Sequence, residues 1–122
     1  FWSERSGFVA GLKTIEIIKK KQIAKKINNI GKKIKQKWKI IFKRYKVSIT
    51  IYGTNVIPAF KINDQRKFNY INYITEKMLE KNFLFKNVVY VSIAHTEKIL
   101  DKYFKALENV VKNLTRESYE KK

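Results

Sequence analysis

The chain has no Cys. That excludes a disulfide framework, a thiolate metal site and a Cys nucleophile. It also fits a reducing compartment, and the cytoplasm is the expected location. There is one His, His95, so no His–His metal pair and no Cys–His pair can form. Four Gly make neither G-x-G-x-x-G nor a P-loop, which argues against a phosphate-cradling loop. No apolar run approaches the roughly 18 residues that a membrane span needs. Acids are scarce, 10 against 28 basic residues. Arg is scarce too: only Arg5, Arg44, Arg66 and Arg116. The single Pro, Pro58, can break a β-ladder at one place only.

What remains is enough for one globular domain. At 122 residues, folding should bury roughly 65% of the unfolded surface. Hydrophobic content of 44% and aromatic content of 14% agree. The net charge of +18 invites a nucleic-acid or anionic-membrane reading. Its make-up weakens that reading. The excess is Lys beside plentiful Asn and Ile, as a genome-wide bias would produce, and Arg is the preferred residue for bidentate phosphate contacts.

In chain order, a first helix is expected over about Glu4 to Lys19, with Phe8, Leu12, Ile15 and Ile18 at helical spacing. Ser3 or Ser6 would cap it. Gly7 and Gly11 share one face and would allow another backbone close. The opening has no initiator Met and begins on two large aromatics. We read it as a cut end, with this helix leading in from something larger upstream.

The second helix, about Gln22 to Tyr45, carries the stripe Ile23, Ile27, Ile30, Ile34, Trp38, Ile41 and Tyr45. From Lys19 to Lys46, both included, stand thirteen basic residues and no acid. Val47, Ile49 and Ile51 alternate with polar neighbours and predict a strand. Gly53-Thr54-Asn55 reads as a turn, and Val56 to Ile62 as a second strand, at an edge or irregular at Pro58. Asn63 or Asp64 would cap a third helix, about Gln65 to Lys81, with Phe68, Ile71, Ile74 or Thr75, and Met78 inward. A third strand is expected over about Asn87 to Ile93. Thr96 would cap a last helix whose apolar face holds Ile99, Leu100, Tyr103, Phe104, Leu107, Val110, Val111 and Leu114. Thr115 to Lys122 reads as a polar, frayed tail. The expected fold is α+β: a two-layer small domain, a three-stranded mainly antiparallel sheet covered by helices, in the order α-α-β-β-α-β-α.

Catalytic signals are weak. His95 reads as a strand-end hydrogen-bonding residue, because it lacks the partners that catalysis needs. Glu76 with Glu80, and Glu97 with Asp101, are acids four apart, a spacing that usually means solvated surface. No Lys stands in an apolar or Gly-rich context of the kind a Schiff-base Lys requires. Trp38, Phe42 and Tyr45 fit the core period better than a stacking platform for nucleic acid. An independent basic domain binding nucleic acid through the Lys19–Lys46 helix is the alternative reading.

Three stretches together resemble one family: Phe1-Trp2-Ser3-Glu4-Arg5 with the helix to Ile15, the run Val89-Tyr90-Val91-Ser92-Ile93-Ala94-His95-Thr96-Glu97, and Ile99-Leu100-Asp101-Lys102-Tyr103. They resemble the class III pyridoxal-phosphate (PLP) aminotransferases, in the branch similar to glutamate-1-semialdehyde 2,1-aminomutase. The likeness runs from Phe1 to about Leu114. It implies a C-terminal domain (residues 21–114) of a fold-type I enzyme, reached through a linking helix (residues 1–20) and followed by a tail (115–122). It implies pyridoxal 5'-phosphate as cofactor, a small-molecule amino substrate, and a homodimer with the active site between subunits. The Schiff-base Lys would lie upstream, so no catalytic residue is expected in this chain. Trp2 and Ser3 would border the cofactor pocket, and Glu4 and Arg5 would stand on the substrate rim. Aminomutases of the family carry a Glu ahead of the Ala-His-Thr run. Here that segment is short and has Asn87 near the place, which favours an aminotransferase.

Overall fold

The structure, a computed structural model, describes residues 4–63 and 70–120, with side chains to residue 114. Six elements follow in order: helix α1 (Arg5–Lys20), helix α2 (Ile23–Arg44), strand β1 (Ile49–Gly53), strand β2 (Pro58–Ile62), helix α3 (Tyr70–Leu79) and helix α4 (Glu97–Glu120). Four helices and one two-stranded antiparallel sheet make an α+β fold.

α2 is the central element. Its stripe places Gly31, Ile34, Trp38, Ile41 and Phe42 inside. α4 answers with Leu100, Phe104, Leu107, Val110, Val111 and Leu114, and α3 with Tyr70, Ile74 and Met78. From the sheet, Phe60 enters this core. Its ring lies 4.9 Å from Trp38, 5.0 Å from Phe42 and 6.2 Å from Phe85, tilted or edge-on. Such offset contacts add to the area the rings bury. Phe68 and Asp64 lie outside the described residues.

α2 stops by a left-handed turn. Val47 N–H donates to the Phe42 carbonyl at 2.9 Å and Lys46 N–H to the Lys43 carbonyl at 3.1 Å. Lys46 sits at φ 57° to permit both. α3 ends the same way, with Asn82 at φ 62°, Phe83 N–H on the Met78 carbonyl and Asn82 N–H on the Leu79 carbonyl.

Several expectations need correcting. Glu4, not Ser6, is the N-cap of α1, and it makes no side-chain cap bond. Asn63 caps nothing. Its N–H extends the ladder to the Ser48 carbonyl, and its side chain is bonded to Ser48 and Thr50. Ile99 is 44% exposed rather than core. The helix backbone also continues to Glu120, through most of the stretch expected to fray.

The third strand, 87–93, does not form as such. This segment runs antiparallel along the free edge of β2 but makes only one isolated bridge, Ala59 to Val88. Phe60 N–H donates to Asn87 O, Val89 N–H to Pro58 O and Val91 N–H to Val56 O. Pro58 has no N–H to return a bond to Val89. The Asn87 side-chain amide, not its backbone, reaches the Phe60 carbonyl at 3.0 Å. Half of the ladder is therefore missing.

Candidate functional site

Two features stand apart from the core. The first is α1, which buries no residue. Phe8, Leu12, Ile15 and Ile18 keep their helical spacing yet are exposed, Phe8 by 69% and Leu12 by 70%. A β-carbon added to Gly7 or Gly11 would meet nothing within 4 Å. α1 is amphipathic, and among the described residues nothing buries its apolar face. The helix joins α2 through Lys21 and Gln22, the latter left-handed at φ 49°.

Glu4 and Arg5, the expected substrate-rim residues, are exposed at the start of α1. Neither pairs with another described residue. The expected cofactor-rim residues Trp2 and Ser3 lie outside the described residues.

The second feature is the run from Val89 into α4. Ser92-Ile93-Ala94-His95-Thr96 folds into a tight turn on its own hydrogen bonds. His95 N–H reaches Ser92 O at 3.2 Å, Thr96 N–H reaches Ala94 O at 2.8 Å, and the Ser92 hydroxyl accepts from Ala94 N–H at 3.3 Å. Ser92 N–H donates to His95 Nδ1 at 3.0 Å. An N–H can only donate, so Nδ1 is the acceptor and the neutral ring carries its proton on Nε2. Thr96 Oγ1 accepts from Ile99 N–H at 3.4 Å and starts α4.

The turn holds His95 at the wall of a half-open cavity of about 270 Å³. Ile34 of α2 and Leu100 and Tyr103 of α4 line it on other sides. The Tyr103 hydroxyl accepts from Trp38 Nε1 at 3.0 Å. Burial pushes the Tyr103 phenol well above its ordinary range, outweighing the opposing effect of the Trp38 hydrogen bond. The phenol therefore stays protonated through the neutral range. Sequence reasoning passed over this cavity. Tyr103 read simply as core, and His95 as a strand end.

The basic face of α2 is partly used internally. Lys33 pairs with Glu97 and Arg44 with Glu108, both across to α4. Lys35 Nζ donates to the Gly53 carbonyl at 2.7 Å. Trp38 and Phe42 are fully buried and Tyr45 is half-buried. Among the described residues of α2, no exposed aromatic stands beside the lysines. Among the described acids, Glu80 meets Lys77 and Glu97 meets Lys33. Among the described residues, no cluster of three or more metal-ligating side chains occurs.

Pyridoxal phosphate can be tested against this chain directly. Its covalent attachment needs a Lys in a desolvated pocket. None of the described residues with a charged side chain is buried. The described residues do not by themselves fit the cofactor. Among them, no helix is long and apolar enough to cross a membrane. No family model, curated protein or solved structure matches the chain.

Proposed function

We propose that this chain is the C-terminal domain of a class III PLP-dependent enzyme, an aminotransferase or aminomutase-like protein, and is not catalytic alone. Its role is to complete the substrate pocket and the homodimer around a cofactor held elsewhere. One observation carries the reading: α1 presents Phe8, Leu12, Ile15 and Ile18 to solvent, none of them buried by the described residues. Exposed apolar stripes of this kind mark interaction sites. A linking helix lying against a large domain would bury this one.

The fold also supports the reading. The segment 87–93 lies along the edge of β2, where a third strand would have to run, and hands the chain to α4. In the whole enzyme we place this strand as the third of a two-layer domain. The cofactor would act as the electron sink for amino-group transfer. The described residues offer no buried Lys for it, so the attachment site would lie elsewhere.

The test is the protein read from the coding sequence that includes these codons and everything in frame before them. The purified product should retain PLP through gel filtration, run as a dimer, and lose both properties when Phe8 and Leu12 are changed to Glu. A frame that opens at Phe1, or a longer product that retains no PLP, overturns the proposal.

A further inference from the structure

The cavity behind His95 has no role in the reading above. It is half-open, and its rim is apolar and solvent-exposed: Leu84 is 95% exposed, Tyr90 72% and Ile99 44%. At about 270 Å³ it is small. A cavity of about 150 Å³ accommodates benzene, and sites for drug-sized ligands start near 300 Å³. The volume therefore suits one ring or a short branched chain with a polar end.

Two polar side chains on its wall, His95 and Tyr103, each have a proton to donate. His95 Nδ1 is occupied by Ser92 N–H, which leaves Nε2–H as the group the ring can offer. The Tyr103 oxygen accepts from Trp38 Nε1, and its own proton has no acceptor among the described residues. Two donors without acceptors call for a ligand that accepts. The surrounding charge narrows the choice. Lys98 and Lys102 precede Ile99 and Tyr103 along α4 and are exposed. Of the two acids nearest in sequence, Glu97 is engaged by Lys33, and Asp101 lines a different cavity with Arg44 and Lys105. A carboxylate is the acceptor that gains most from such a setting, since hydrogen bonds to an ionised group are the stronger kind.

We propose that this cavity binds a small carboxylate bearing one aromatic or branched apolar group. The ring or branch sits against Ile34 and Leu100, and the carboxylate accepts from His95 Nε2 and the Tyr103 hydroxyl. The proposal does not rest on the enzyme family proposed above, and it is tested on this chain itself.

The probe is 3-phenylpropanoate, titrated into the isotopically labelled chain and followed by amide and side-chain NMR shifts. Saturable shifts centred on His95, Ile99 and Tyr103 are expected, with a Kd on the order of 1 mM for so small a ligand. The neutral analogue 3-phenylpropan-1-ol should bind about tenfold more weakly. Tyr103→Phe should weaken the acid about fivefold. That variant leaves the Trp38 N–H without its acceptor, so a second one guards the test. Ile99→Trp changes an exposed rim residue, keeps the core intact, and should block the mouth and abolish the shifts. Absence of saturation, shifts centred on the α2 lysines, equal binding of acid and alcohol, or undiminished binding to Ile99→Trp would each overturn the proposal.

Discussion

Gly31 and Asn55 meet backbone to backbone. A β-carbon at Gly31 would lie 1.6 Å from the Asn55 carbonyl oxygen. The β1–β2 turn is thereby seated on the middle of α2. The contact is fastened beside it by Asn55 Nδ2 donating to Asn28 Oδ1 at 2.9 Å. Below that seat, Phe60 reaches Trp38 and Phe42.

The sign of Gly31→Ala is therefore opposite to helix propensity. In an open helix interior the change would stabilise by about 1 kcal/mol. Here the neighbour is backbone and must move with the whole turn. Overpacking of this kind costs about 1–3 kcal/mol, and we expect a loss near 2 kcal/mol, on the order of 8 °C in Tm. Gly11→Ala supplies the control. It faces open space and should raise helical circular dichroism without lowering Tm. If Gly31→Ala melts at or above the parent temperature, the close approach is wrong.

Lys46 gives a gain instead of a loss. It holds the left-handed position that closes α2, and its side chain is exposed. A residue with a β-carbon pays roughly 1–2 kcal/mol there that Gly does not. Lys46→Gly should stabilise by up to about 1 kcal/mol, after the extra unfolded-state entropy of Gly is counted. Urea denaturation reads this as a higher midpoint at unchanged slope. A lower midpoint would mean that the Lys46 side chain makes a stabilising contact.

How much of this was legible beforehand depended on whether a signal is local. The stripe from Ile34 to Ile41 and the run from Leu100 to Leu114 each carry their period in one element, and both lie in the core. Thr96 at the head of α4 is equally local. Gly31 is silent in sequence, because its role depends on a turn that packs against it from far along the chain. The edge segment 87–93 has the composition of a strand. Its ladder fails because Pro58, on the facing strand, lacks the donor, and because Asn87 uses its side chain in place of its backbone. Ile99 fits the period of α4, but nothing covers it at the cavity mouth. Tyr103 and His95 belong to different turns of the chain, and only the fold brings both to one cavity.

The exposed face of α1 makes a different prediction. Phe8→Ser and Leu12→Glu remove apolar surface that the described residues leave largely exposed. Their effect on Tm should be small, within about 0.5 kcal/mol, as for surface changes generally. Binding of an apolar dye should fall clearly in both variants. A large loss of stability would show that α1 folds back onto the domain in solution, and would remove the main support for a missing partner.

Tyr103 links the core to pH. Its phenol ordinarily titrates near 10. Burial raises it in the folded state, with Trp38 only partly opposing. The unfolded chain therefore loses this proton at a lower pH than the folded chain does. Stability from this group is complete below about pH 10 and drains away above it, by up to about 1.4 kcal/mol per pH unit for one proton. Tyr103→Phe should abolish that part of the alkaline slope. It should also cost about 1–3 kcal/mol at neutral pH, because the buried Trp38 N–H loses its acceptor. Urea midpoints of both proteins between pH 8 and about 11.5 would decide the matter, since the two curves must converge as pH rises. Parallel curves would mean that the Tyr103 hydroxyl is solvated in the folded state and ionises as an ordinary phenol.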